Sequence, residues 1–197
     1  MSVETNIYDN KFFQNTIKLE AKSAADFVDI VLKYYHPASI VDIGCGAGIY
    51  LKEFEQRGVK NLLGIDGSFA ASEEFLLSPD KLEIFDLTKE YKFKNQYDLG
   101  LCLEVAEHLE ESSADTLIET ITNSSKNIIF SAAVPGQGPR SIGHINEQWP
   151  EYWIEKFKHK NFSYQKEKTE KLRQEMKDKG VVWWIVNNLM IFNRNIF

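Results

Sequence analysis

Three glycines at alternate positions, Gly44, Gly46 and Gly48, form the stretch of this 197-residue sequence with the clearest capacity for chemistry. Glycine adopts positive φ angles and lets the backbone approach a ligand with no Cβ in between. The apolar run before them, residues 39–43, predicts a buried strand, and residues 49–57 predict a helix. Because the helix start would direct free N–H groups at the turn, we expect a negatively charged ligand group there.

An acid follows the second predicted strand, residues 61–66. A carboxylate about 20 residues beyond a glycine turn can accept hydrogen bonds from two ribose hydroxyls, so Asp66 is the predicted ribose ligand. The alternative is that Asp66 caps a helix beginning near Ser68, as aspartate commonly does. Gly67 would let the backbone pass close to an adenosine.

The glycine spacing is G-x-G-x-G, and Asp42 lies two residues before the first glycine. Dinucleotide-binding folds usually show G-x-G-x-x-G instead. In this stretch the sequence resembles the class I S-adenosylmethionine-dependent methyltransferases, whose first motif reads as an apolar strand followed by D-x-G-C-G-x-G. The resemblance implies S-adenosylmethionine as cofactor and S-adenosylhomocysteine as product, with Asp42 and the glycines holding its methionine end and ribose. A structural glycine turn and a nicotinamide site are the alternatives.

The third predicted strand, residues 82–85, leads into Asp86 and Leu87. In methyltransferases that this sequence resembles, an acid at this place often accepts a hydrogen bond from the adenine amino group. The backbone of the next residue then meets the adenine ring. The resemblance therefore assigns Asp86 and Leu87 to the cofactor site, and a simple turn is the alternative.

The fourth predicted strand, residues 97–103, ends in the sequence LEVAEHL. This sequence is similar to a common form of the fourth motif in methyltransferases of small molecules and sugars. The resemblance places Leu103 and Glu104 near the cofactor and directs His108 toward the acceptor pocket. For His108, a helix-terminal histidine bonded to the backbone is an equally weighted alternative.

The fifth predicted strand, residues 127–132, leads into a loop over residues 133–149 that is rich in amides and glycines. Loops after strands build the binding crevice of open α/β sheets, and amides such as Gln137 and Asn146 suit a polyhydroxylated acceptor. The loop resembles a PGQGG…GHxNEQ segment of methyltransferases found beside glycosyltransferases in polysaccharide-modifying systems, although residues 139–142 depart from it. This resemblance implies a sugar or glycan acceptor and linked glycosyltransferases as partners.

Transfer of a methyl group to a hydroxyl calls for a general base, which typically contributes about 10²–10⁴-fold to the rate. His144 lies in the loop and histidine titrates near neutrality, so it is the predicted catalytic base. The alternative is a loop histidine satisfied by the backbone. No carboxylate cluster near the acceptor is identified, so no metal site is predicted. Alternative functions are methylation of another small metabolite or a nitrogen acceptor, and a non-catalytic cofactor-binding scaffold.

The elements before the first strand are a polar segment and a helix. Apolar residues at helical spacing predict an amphipathic helix over residues 20–35. Residues 1–38 are therefore expected to form an N-terminal lid segment and helix, ahead of a core over residues 39–197. Three aromatic residues of the polar segment either pack on the domain or, as in many similar methyltransferases, close over the cofactor. They are Tyr8, Phe12 and Phe13.

The elements after the loop are an aromatic helix over residues 149–158, expected to pack in the core, and two strands over residues 162–165 and 181–192. A charged helix over residues 168–179 separates the strands. The pair resembles the closing antiparallel hairpin of the methyltransferase sheet. The predicted fold is α/β, a Rossmann-like three-layer sandwich with a mostly parallel seven-stranded sheet and a C-terminal antiparallel pair, forming one domain over residues 1–197.

Composition limits the partners. With 43% hydrophobic residues the chain can bury one sizeable core, and a net charge of −6 disfavours a nucleic-acid partner. Cys45 and Cys102 lie in apolar strand contexts without disulfide or metal spacing, which predicts a reducing, cytoplasmic location. No apolar run approaches the roughly 20 residues of a membrane helix, and the first residues do not resemble a signal peptide, so no membrane partner is expected.

Overall fold

The computed structural model describes residues 9–137 and 143–195, which form one seven-stranded sheet with helices on both faces. The strands are β1 (Ser39–Ile43), β2 (Asn61–Asp66), β3 (Leu82–Ile84), β4 (Leu99–Leu103), β5 (Asn127–Ser131), β6 (Phe162–Tyr164) and β7 (Met190–Arg194). Their order in the sheet is β3-β2-β1-β4-β5-β7-β6. The first five strands are parallel, and β7 runs antiparallel to both β5 and β6. The predicted α/β fold, with a mostly parallel sheet and an antiparallel C-terminal pair, is confirmed.

The helices divide into two layers. They are α1 (Asn10–Tyr34), α2 (Ile49–Gln56), α3 (Phe69–Glu73), α4 (Ala114–Ser124), α5 (Pro150–His159), α6 (Lys166–Lys179) and α7 (Trp183–Asn188), with short 3₁₀ turns at Pro79–Lys81, Ala106–His108 and Glu111–Ser113. One hydrophobic core lies between the sheet and helices α1, α2, α6 and α7, and a second lies under α4 and α5. A smaller cluster joins Phe13, Ala47 and Ala71. Every residue of β1 and β4 is buried, as expected for strands covered on both faces.

The first helix begins ten residues earlier than the sequence predicted, at Asn10. The Asp9 side chain caps it, since its Oδ1 accepts a hydrogen bond from the Phe12 N–H at 2.8 Å. Within the described residues, no helix has both the length and the apolar character that a membrane crossing requires.

The prediction of one strand over residues 181–192 was wrong in its first half, which forms α7. Ile185, Val186 and Leu189 are buried at positions i, i+1 and i+4, which is helical spacing and not strand alternation. Only Met190–Arg194 continues as a strand.

The prediction that Trp149 packs in the core was also wrong. Trp149 precedes the first residue of α5, and its side chain is 59% exposed. Trp153 and Phe157, one and two turns into the same helix, are fully buried as predicted. Trp149 therefore remains available at the surface beside the loop that carries His144.

Candidate active site

The glycine turn joins β1 to α2 at the carboxyl edge of the sheet. Gly44, Gly46 and Gly48 have φ angles of 79°, 52° and 76°, so all three lie in the left-handed region that favours glycine. The Gly44 N–H donates to the Ile65 carbonyl oxygen at 2.7 Å. A Cβ on Gly44 would lie 2.2 Å from a methyl group of Val105, so the turn packs too closely for any other residue there.

Asp66 connects the end of β2 to the glycine turn. Its Oδ2 accepts from the Gly46 N–H and its Oδ1 from the Ser68 N–H, both at 2.8 Å. Burial raises the pKa of this carboxyl, while the backbone N–H groups act in the opposite direction. The N-cap of α3 is Ser68, so Asp66 bonds the residue before the helix and not an N–H group of its first turn. Its contact with ribose stays a prediction.

The carboxyl groups near the start of α2 fit a cationic cofactor. The carboxyl groups of Glu20, Asp42 and Glu104 are close enough for their charges to act on the Tyr50 hydroxyl. Burial raises the pKa of Glu20 and of Asp42 to about 7, and the charge of Asp66 adds to the shift at Asp42. Acceptor oxygens gathered in this way suit the sulfonium and ammonium groups of S-adenosylmethionine.

The start of α1 lies over the glycine turn. The Phe13 ring is buried, and a Cβ on Gly46 would lie 3.3 Å from it. This part of α1 is tied to the region of α3, because the Asn10 side chain donates to Glu73 at 2.6 Å. The predicted lid residue Tyr8 lies outside the described residues.

The predicted adenine site lies where β3 ends beside β2. Asp86 is exposed, and its Oδ1 accepts from the N–H and the hydroxyl of Thr88, which lowers its pKa. Leu87 is buried in the core, so only its backbone can meet a ring. A Cβ on Gly67 would approach the Phe85 carbonyl oxygen to 3.5 Å. Their roles toward adenine stay predictions.

Glu104 directly follows β4 in a strained conformation, with φ at 54°. Both of its carboxylate oxygens lie 3.1 Å from the donating Nδ2 of Asn188, which belongs to α7. The same Nδ2 donates to the Oε1 of Gln137 at 2.8 Å. Gln137 is half-buried and held by Asn188, and its predicted contact with an acceptor stays a prediction. Leu103 is buried beside Glu104 at the strand end.

The loop after β5 is fastened to the turn after β4. The N–H groups of Ile145 and Asn146 donate to the Glu107 carbonyl oxygen at 2.8 and 3.1 Å. The Asn146 side chain is 4% exposed and accepts from Gln148 Nε2 at 2.9 Å. Asn146 thus fixes the loop, and its predicted contact with an acceptor stays a prediction. The loop residues 138–142 lie outside the described residues.

This arrangement brings the two predicted histidines together. The rings of His108 and His144 meet edge to face, with centroids 4.7 Å apart. The Nδ1 of His108 lies 3.2 Å from the Gly143 carbonyl oxygen. This contact agrees with the alternative prediction for His108, a histidine bonded to the backbone. The Nδ1 of His144 instead lies 2.9 Å from the Glu147 carboxylate. Burial lowers the pKa of His108 to about 4, so its ring is neutral at neutral pH.

Glu107 was missed by the sequence reasoning and completes the group. Its side chain is 0% exposed, and its Oε1 accepts from the Ala133 N–H at 3.2 Å. One ligand atom each from Glu107, His108 and His144 all lie within 4.8 Å of one another. A signal existed, because adjacent parallel strands place their carboxyl ends at one edge. The Glu-His pair follows β4, and His144 follows β5.

A sheet with this strand order, a glycine turn after its first strand and an acid ending its second strand define a class I methyltransferase fold. A family model described as a methyltransferase domain matches residues 18–182. The chain belongs to this methyltransferase family. Among curated proteins, none matches the sequence.

Solved structures share the fold at low sequence identity. An S-adenosylmethionine-dependent methyltransferase from Clostridium acetobutylicum matches with a TM-score of 0.65 and 15% identity, over 79% of this chain and 88% of that chain. An amino pentose methyltransferase from Micromonospora echinaspora, with S-adenosylmethionine bound, matches with a TM-score of 0.63 and 12% identity, over 87% and 90%. Magnesium protoporphyrin IX methyltransferase from Synechocystis, with bound S-adenosylhomocysteine, matches with a TM-score of 0.58 and 20% identity, over 78% of each chain. The predictions of a methyltransferase and of S-adenosylmethionine as its cofactor are confirmed.

Proposed function

We propose that this methyltransferase transfers its methyl group to a hydroxyl of a sugar or glycan acceptor. The observation that carries the proposal is the His144 ring, which is oriented by Glu147 and lies at the sheet edge that also holds the glycine turn. When bound, S-adenosylmethionine supplies an activated methyl group on a sulfonium. The protein has to align the acceptor oxygen with that group and exclude water.

The cofactor is held, in this proposal, by the turn and the acids around it. Backbone N–H groups at the start of α2, directly after the glycine turn, would take the carboxylate of the methionine end, and Asp66 would take the ribose hydroxyls. Glu104, whose backbone is strained and whose carboxylate is fixed by Asn188, would face the cofactor from β4. Asp86 and Leu87 would border the adenine from the end of β3.

The acceptor proton is handled by His144. A carboxylate only accepts hydrogen bonds, so the contact with Glu147 places the proton of the neutral ring on Nδ1 and the lone pair on Nε2. That lone pair can accept the hydroxyl proton, and Glu147 stabilises the imidazolium that forms. A base of this kind contributes about 10²–10⁴-fold to the rate.

The surface beside His144 supports a sugar as acceptor. The side chains of Ile145 and Trp149 are 54% and 59% exposed on either side of the buried Asn146. An exposed indole offers an apolar face to the C–H groups of a sugar ring, while its edge and the nearby loop can hydrogen-bond to hydroxyls. The amino pentose methyltransferase shares this fold. A cytoplasmic location and linked glycosyltransferases belong to the same proposal.

The test is methyl transfer from radiolabelled S-adenosylmethionine to a panel of sugars, oligosaccharides, phenols and amines. We expect transfer to a sugar hydroxyl, and we expect His144→Ala to lower turnover at least about 100-fold while leaving cofactor affinity nearly intact. His36→Ala is the matched control, because His36 is exposed just before β1, away from the carboxyl edge. Transfer to amines alone would contradict the hydroxyl acceptor, and cofactor binding without any transfer would favour a scaffold.

A further inference from the structure

We infer that Glu107, His108 and His144 bind one divalent cation of the first transition row, such as Mn²⁺, Co²⁺ or Zn²⁺. One ligand atom from each side chain lies within 4.8 Å of the other two. Tetrahedral ligands about 2.1 Å from a common ion lie about 3.4 Å apart, so side-chain shifts of about 1 Å close the site. The three residues come from two loops that hydrogen bonds already hold together.

Both histidine rings are oriented as metal ligands usually are. A ligating histidine typically donates its other ring N–H to a carbonyl or carboxylate oxygen, which fixes the ring and makes it a better ligand. The Nδ1 of His108 faces the Gly143 carbonyl oxygen at 3.2 Å, and the Nδ1 of His144 faces the Glu147 carboxylate at 2.9 Å. Each neutral ring therefore carries its lone pair on Nε2.

Glu107 supplies an independent observation. Its Oε2 is buried and, within residues 9–137 and 143–195, no N–H group donates a hydrogen bond to it, although buried polar atoms are nearly always satisfied. The Glu104 carboxyl lies close enough to the Glu107 carboxyl for the two groups to share a proton in one hydrogen bond. No ion pair among the described residues includes Glu104 or Glu107. A cation bound to Oε2 would displace the shared proton and satisfy this oxygen.

The ligand set indicates which ions fit. Two imidazole nitrogens with one carboxylate oxygen suit transition metals, whereas Mg²⁺ and Ca²⁺ prefer oxygen ligands alone. Three protein ligands leave coordination positions open, as in catalytic metal sites. We assign one open coordination position to the acceptor hydroxyl, and this assignment rests on the proposed function. The hydroxyl oxygen would bind the ion, which lowers the pKa of the hydroxyl so that its proton passes to solvent water. The oxygen then bonds to the methyl carbon as the methyl–sulfur bond breaks and S-adenosylhomocysteine leaves, and His144 acts as a ligand in place of a free base.

The test begins with metal alone. The chelator-treated protein is titrated with Mn²⁺ by calorimetry, and we expect one saturable site that Mg²⁺ fills much more weakly. Glu107→Gln, His108→Ala and His144→Ala should each weaken Mn²⁺ binding by about 10–100-fold. His159→Ala, in the last turn of α5, is the control and should leave binding unchanged. Binding that persists in all three variants, or none at millimolar Mn²⁺, would overturn the inference.

One further measurement distinguishes a loss of metal ligands from a folding defect of the variants. Another distinguishes failure of this inference from failure of the proposed function. Electron paramagnetic resonance of Mn²⁺ bound to the unaltered protein should show nitrogen coupling from two imidazoles, and its absence would refute the site without any variant. If methyl transfer continues at full rate in the presence of chelator, the ion has no role in the reaction and His144 remains the proposed base. Mn²⁺ binding without transfer to any acceptor would keep the site and overturn the proposed acceptor.

Discussion

Asp66→Ala separates the two functions that the structure gives this carboxylate. The Asp66 carboxylate accepts hydrogen bonds from the N–H groups of Gly46 and Ser68, both at 2.8 Å, and it is the predicted ribose ligand. Removing the carboxylate therefore leaves two backbone N–H donors without their acceptor. In the cofactor-bound state it also removes the acceptor of the ribose hydroxyls. We expect both a loss of folding stability and a loss of cofactor affinity.

The magnitudes follow from the hydrogen bonds. A bond to a charged group contributes about 1.5–3 kcal/mol, but water can replace part of it because Asp66 is only partly buried, so we expect about 1–3 kcal/mol of destabilisation in total. Each 1.4 kcal/mol of lost binding energy is about tenfold in affinity, so loss of one charged bond to ribose gives more than tenfold weaker binding.

A matched control exists at the opposite edge of the sheet. The Oδ2 of Asp98 accepts from the N–H groups of Ala38 and Ser39 at 2.8 and 2.9 Å, far from the glycine turn. Asp98→Ala should cost similar stability and leave cofactor binding unchanged. Urea unfolding measures the stability of both variants, and calorimetry measures their affinity for S-adenosylmethionine. Unaltered affinity in folded Asp66→Ala would refute the ribose assignment.

Three further predictions concern the same region. Gly48→Ala should destabilise the fold by about 2–4 kcal/mol in urea unfolding, because φ is 76° and the new Cβ would lie 2.6 Å from Phe75. Gly180 has a similar φ of 80°, but an added Cβ there would meet open space, so Gly180→Ala should destabilise the fold by only about 1–2 kcal/mol. Equal losses of stability in the two variants would refute the clash with Phe75 as a cause. Burial raises the Glu20 pKa from 4.5 to about 7, so folding must reprotonate this carboxyl and stability is lost as pH rises from 4.5 through 7. Glu20→Gln should therefore match the parent near pH 4 and exceed it by about 1–3 kcal/mol near pH 8 in urea unfolding; parallel pH profiles would contradict this. Phe13→Ala should cost about 3 kcal/mol by opening a cavity over the turn, and a loss below 1 kcal/mol, measured in the same way, would show that the ring contributes little there.

The sequence contained enough to predict most of the sheet. The bounds of β1 and β2 follow from short apolar runs that glycine and acid residues interrupt, and both matched the structure. The turn glycines were predicted from spacing alone, since positive φ angles leave few other residue choices. Local chemistry dictates these features, so a local pattern reveals them.

Features that depend on contacts between distant segments were not predicted. The start of α1 was placed too late because its cap, Asp9, precedes a polar stretch that is held by packing and side-chain hydrogen bonds against α3 and the turn. Residues 181–192 were assigned to a strand because apolar content does not distinguish a short buried helix from a strand. The Glu107 and His144 cluster joins positions 37 residues apart, and only the parallel pairing of β4 and β5 brings them together.

The position of β7 has a consequence for how the protein is made. This strand occupies residues 190–194, yet it lies between β5 and β6 and hydrogen-bonds to both. While the ribosome is still adding these residues, β5 has an open edge and β6 has no partner in the sheet. Exposed strand edges pair readily with other chains, so the nascent protein is most prone to aggregation just before this segment is released. Asn188 is delivered at the same moment, which means that Glu104 acquires its hydrogen-bond donor only as synthesis of the sheet ends.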